Sequence, residues 1–128
     1  MAAYPRVRCA SGNALAAAIT TAGILIVPGA ADRTITVVGG WMRSNGNTVG
    51  GATSVNVSDS SSTNEVMVGT AANMTNTTIL REGTSGMTCT KLGTALTKGD
   101  GLLLKGIDAT VTTTTSVDYC VYYTVTGG

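Results

Sequence analysis

Histidine and phenylalanine are both absent from this chain, and charge is scarce. Without histidine, Ser–His–Asp and Cys–His nucleophile systems are excluded and the commonest metal ligand is gone. Cys9, Cys89 and Cys120 stand far apart, with no zinc-type spacing among them. The carboxylates Asp32, Asp59, Glu65, Glu82, Asp100, Asp108 and Asp118 form no D-x-D-x-D calcium loop. Most fall at turn signals, and a glycosidase-type pair would have to assemble from distant strands. The glycines cradle no phosphate: "VVGGWM" lacks G-x-G-x-x-G, and "TKGDG" lacks the P-loop pattern. "GTSGM" misses the spacing of a nucleophile elbow and has no base to serve it. The expectation is a non-enzyme with no cofactor and no metal.

Lys and Arg number 8 against 7 Asp and Glu, a net charge of +1. The basic residues are scattered, whereas nucleic acid calls for a basic stripe. Charged residues are 12% of the chain, about half of the usual ~25%. The surface is therefore expected to be rich in Thr, Ser, Asn and Gly, weakly repelling, and suited to ordered contact with other proteins. The length of 128 residues fits one domain. Such a domain buries roughly two-thirds of its unfolded surface and needs no staple. The odd cysteine count fits a disulfide framework badly and favours buried free thiols in a reducing cytoplasm. One bridge with one free thiol stays open; Cys89 and Cys120 face each other only if their strands are neighbours.

"RVRCASGNALAAAITTAGILIVPGAAD" imitates a secretory signal, with Arg6 and Arg8 ahead of an apolar stretch. Gly12, Asn13, Thr20, Thr21, Gly23 and Pro28 interrupt it, and it is too short to span a membrane. Residues 1–10 are read as a retained extended arm. Asn13 to Ile19 is read as one or two helical turns, and "GILIVPG" as a short apolar strand ended by Pro28.

The remainder reads as β. Short Val/Ile/Thr runs alternate with Gly/Asn/Ser/Asp turns. Residues 33–43 form the first long strand, "GNTVGG" a flexible turn, "TSVNVSD" and "NEVMVGT" alternating strands. "LTKGDG" is the sharpest turn, "GLLLKGI" a buried strand, and "VDYCVYYTV" the last. About eight or nine strands at this spacing predict an all-β, single-domain β-sandwich or jelly roll. The domain spans 24–128, with an N-terminal arm and connection over 1–23.

Strand residues two apart share a face. That parity places Ile35, Val37, Gly39 and Trp41 together, with the Gly39–Gly40 pair permitting a bulge or bend. With no Phe, the expected core anchors are Trp41, Ile35, Val37, Tyr119, Val121 and Tyr123. The alternative for Trp41 is a ligand platform beside Arg43 and Asn45. In the last strand, Val117, Tyr119, Val121, Tyr123 and Val125 share one face; Asp118, Cys120, Tyr122, Thr124 and Thr126 share the other. Both faces are partly apolar, so the strand is central or pressed against another subunit. Tyr122 is the candidate intersubunit contact, against ordinary packing under a loop.

The runs "ADRTITVVGGWMRSNG", "TSVNVSD", "LTKGDGLLLKG" and "VDYCVYYTVTGG" carry a resemblance. In pattern and composition, residues 24–128 resemble small capsid decoration (cement) proteins of tailed bacteriophages. The resemblance implies a virion protein made in the host cytoplasm. It would bind the outer surface of the major capsid protein as a homo-oligomer, a trimer by preference, and bind neither nucleic acid nor membrane. On this reading Tyr4, Pro5, Arg6, Val7 and Arg8 of the arm contact the capsid or a neighbour, and Tyr122 and Thr124 mediate self-association. The competing readings are a carbohydrate-binding or fibre-tip sandwich using Trp41, and a fibre or pilus subunit assembling by strand exchange.

Overall fold

The computed structural model describes residues 6–62 and 64–127. Nine strands lie among them: β1 (Arg8–Leu15), β2 (Ile24–Val27), β3 (Arg33–Gly50), β4 (Ser54–Asp59), β5 (Glu65–Thr70), β6 (Leu80–Arg81), β7 (Met87–Thr88), β8 (Leu102–Gly106) and β9 (Thr112–Gly127). The only helical segments described are single 3-10 turns at Ala16–Ala18 and Ala71–Asn73. One sheet has the order β1-β9-β3-β6 and the other β2-β8-β4-β5-β7. All pairings are antiparallel, and the two sheets pack into an all-β sandwich. The pairings nest: β4 with β5, β3 with β6, β2 with β8, β1 with β9.

Several boundaries differ from those expected. Residues 8–15 are not arm or helix but an edge strand paired to β9 along its full length. The sandwich therefore begins at Arg8 rather than at residue 24. Expected arm residues Arg6 and Val7 precede β1 and are exposed; Tyr4 and Pro5 lie outside the described residues. β3 does not stop at Arg43. It runs through "GNTV" to Gly50, where register shifts around Gly46 keep it against Thr114 and Thr112 of β9. The Ser44 hydroxyl bonds Thr114 Oγ1 at 2.6 Å across that pair.

The core is aliphatic and sulfur-rich. Val37, Met42, Val55, Val57, Val66, Met67, Met74, Leu80, Leu102, Leu104, Val117 and Val121 are fully buried. Methionine, flexible enough to fill irregular gaps, takes the volume that phenylalanine would otherwise supply. Of the expected anchors, Ile35, Val37 and Val121 are buried, while Tyr119 and Tyr123 are half-buried and packed against the core. Gly12, directly opposite Tyr119, leaves the space its ring occupies.

Trp41 is a correction. It is not a core anchor, because a bulge inverts the parity of β3. Val37 pairs with Tyr123 and Gly39 with Tyr122, so Val38 is an extra residue. A one-residue insertion sends every later side chain to the opposite face. Ile35 and Val37 point inward before the bulge, Met42 and Ser44 after it. Trp41 consequently faces out, half-buried on the outer face rather than packed in the core. Gly40 makes the crossing possible: a Cβ there would meet the Cys120 carbonyl at 2.6 Å and the Met67 sulfur at 3.0 Å.

Candidate functional site on the outer face of the four-stranded sheet

The bulge assembles three cross-strand rows on the outer face of the β1-β9-β3-β6 sheet. Residues directly opposite one another share a face. The rows are Asn13–Asp118–Arg43, Ser11–Cys120–Trp41 and Cys9–Tyr122–Gly39. β9 supplies the middle of each row because it is flanked by β1 and β3.

The first row is polar and fixed. The Asn13 amide donates to Asp118 Oδ1 at 2.6 Å, and Arg43 Nη2 donates to Oδ2 at 3.0 Å. These bonds, the Asn13 amide foremost, hold the Asp118 carboxyl below its ordinary value of 3.8 despite its partial burial. Because the folded state binds this proton more weakly than the unfolded chain, its stabilisation is complete above about pH 3.8 and is lost as pH falls through the lower folded value. Asp118→Asn should therefore flatten the acid limb of Tm against pH below 3.8, measured by thermal melts.

The other two rows are apolar, aromatic and sulfur-bearing. Tyr122 is 39% exposed and lies across the bare backbone of Gly39, its ring 3.8 Å from where a Cβ would stand. Its phenol is raised above the ordinary 10.0, first by the neighbouring Cys120, with Trp41 acting in the opposite direction. Val38, pushed out by the bulge, and Val7, just ahead of β1, are 42% and 56% exposed. Cys9 and Cys120 bring their sulfurs to 2.7 Å. Hydrogen bonding to Cys120 raises the Cys9 thiol above 9.0.

Of the expected self-association residues, Tyr122 and Thr124 both belong to this face; Thr124 is half-buried opposite Thr36. Trp41, Arg43 and Asn45 also come together here, on one side of β3. Arg8 instead borders a separate cleft of about 270 Å³ between the sheets, with Arg33, Pro28, Tyr123 and Val125. Cys89 follows β7 in the opposite sheet, so it does not neighbour Cys120.

The roles of Cys9, Asn13 and Asp118 were missed from sequence because β1 was read as arm and helix. The Gly39–Gly40 pair signals the outward turn of Trp41 and Arg43, through the bulge at Val38; nothing in "RCASGNAL" signals β1.

Chemically, this face offers contact area and directional hydrogen bonds. Among the described residues no three His, Cys, Asp or Glu side chains converge to hold a metal, and no helix is long and apolar enough to cross a membrane. No protein family, curated protein or solved structure was found to match this chain.

Proposed function

We propose that this protein is a non-catalytic structural component of a virion, decorating and stabilising an icosahedral phage capsid by binding the outer surface of its major capsid protein. The observation that carries the reading is the outer face just described. Tyr122 and Trp41 stand on this face with Val38 exposed at the bulge beside them, and Arg43, the cation in the three rows, is already paired to Asp118. An apolar patch rimmed by polar groups is the usual mark of a protein-contact surface. The nested strand pairings support the finer jelly-roll reading, in which a two-stranded ribbon is rolled into two sheets.

The physical logic is collective. Packaged DNA pushes capsid subunits apart. Many clamps, each burying on the order of 800 Å² per partner, oppose that together. Tyr122 and Thr124 serve self-association into a trimer, and Tyr4, Pro5, Arg6 and Val7, ahead of β1, contact the capsid or a neighbouring copy. Light scattering on the purified protein should give a trimer that Tyr122→Ser dissociates at least tenfold more readily. Removing residues 1–7, which leaves β1 whole, should reduce co-sedimentation with purified capsid shells by a similar factor. Unchanged occupancy would reject the arm's role, and a wild-type monomer would reject the trimer.

The outward turn of Trp41 favours one second reading, a carbohydrate-binding or fibre-attached module with Trp41, Arg43 and Asn45 as its platform. Glycans that shift Trp41 emission, with no binding to capsid shells, would establish it over decoration.

A further inference from the structure

Cys9 and Cys120 sit diagonally across the β1–β9 pair: Cys9 stands opposite Tyr122, and Cys120 opposite Ser11. Both side chains stand on the outer face, one pair apart along the ladder. Here the sulfurs are 2.7 Å apart, only about 0.7 Å beyond a covalent S–S bond of ~2.05 Å. The environments differ in a useful way. Cys9 is exposed and Cys120 is buried. A reagent therefore meets Cys9 first, and Cys120 waits beside it.

We infer that Cys9 and Cys120 are a disulfide-forming pair that closes when the protein meets a low-molecular-weight disulfide, stapling edge strand β1 to central strand β9. The Cys9 thiolate attacks one sulfur of the small disulfide. That S–S bond breaks, one small thiol leaves, and a mixed disulfide forms on Cys9. The Cys120 thiolate then attacks Cys9 Sγ and expels the second small thiol. The two protein thiols lose two protons and two electrons; the small disulfide gains them and becomes two thiols. In a reducing cytoplasm the pair stays open, and outside the cell it closes.

The staple falls where the fold needs it. β1 reads "RCASGNAL", without one β-branched residue, and most of its side chains are exposed. A strand so poor in β-propensity and buried contact is the first to fray. The bridge joins residues 111 apart in sequence, so it removes much of the freedom of the unfolded chain. This inference goes beyond decoration and is independent of it, since it is read on the isolated protein.

The test is to incubate the reduced full-length protein with oxidised glutathione at mildly alkaline pH, then compare it with a reduced control. The intact mass should fall by two hydrogens, and peptide mapping should link Cys9 to Cys120. Only Cys89 should remain titratable after unfolding. Tm should rise by about 5–15 °C on closure. Cys89→Ser should keep that rise, and Cys9→Ser, at the exposed position, should fold and lose it. Three titratable thiols, a lasting glutathione adduct, a link through Cys89, or a rise that survives Cys9→Ser would overturn the pair. A Cys9–Cys120 bridge with an unchanged Tm would overturn the stapling.

Discussion

Met42→Ala is expected to cost about 3 kcal/mol of stability, and Trp41→Ala, one residue away, only about 1 kcal/mol. The order is the reverse of what side-chain size suggests. Met42 is fully buried, and its sulfur occupies space that a Cβ on Gly69 would need. Truncating it leaves a void lined by Gly69, Met74 and Leu80, atoms held by two different sheets that cannot collapse around the gap. Trp41 is half-buried on the outer face, so its removal surrenders part of one ring's burial and creates no internal cavity. Urea unfolding of both variants, at matched m-values, makes the comparison. Equal losses would mean that Trp41 points inward and the bulge does not invert β3. Intrinsic fluorescence offers an independent reading, since an outward Trp41 should emit at solvent-exposed wavelengths.

The second large effect is expected at a place with no side chains. Gly29, in the turn after β2, and Gly101, just before β8, press backbone against backbone. A Cβ on Gly29 would run into the Gly99 carbonyl and stand 2.7 Å from the Gly101 nitrogen. A Cβ on Gly101 would run into the Val27 carbonyl and stand 2.7 Å from the Gly29 nitrogen. Main-chain atoms cannot rotate away as a lysine tip can. Gly101→Ala should therefore cost about 3 kcal/mol, the upper end for overpacking, and lower Tm by about 10 °C. Gly29→Ala should cost a similar amount. The double variant should cost clearly less than the sum, because one separation of the two segments relieves both clashes. Gly83→Ala is the control. Its Cβ meets nothing within 4 Å, so its only penalty is the positive φ of 88°, about 1 kcal/mol. If Gly101→Ala melts no lower than Gly83→Ala, the two segments do not touch.

The strands legible in the sequence were those whose local pattern and tertiary role agree. "ILIV", "SVNVSD", "EVMVGT" and "LLLKG" carry β-branched or leucine residues between turn residues, and each is a strand. β1 was not legible, because nothing in "RCASGNAL" favours a strand; β9 imposes that conformation by pairing with it. The same partner holds "GNTVG" extended, although its glycines and asparagines signal a turn. Trp41 shows a different failure. Parity counting was sound up to Val37, and the glycine pair after it was recognised as a possible bulge. A bulge shifts the count by one, and that single step moves tryptophan from core to surface. The same logic holds for β9: its parity is unbroken from Ser116 to Gly127, so Tyr122 and Thr124 share the face that alternation predicts. Cys9 and its neighbours were missed because their strand was not seen.

The partnership of the first strand with the last has a consequence for biosynthesis. Arg8 pairs with Tyr123 and Arg33 with Gly127, so β1 and β3 both wait for β9. On the ribosome, the local β4–β5 hairpin can form early, but the four-stranded layer cannot zip until β9 has been made and has cleared the exit tunnel. A prematurely terminated product lacks the template for its own beginning. Only chains that extend through β9 present the outer face at all, because its middle strand is β9.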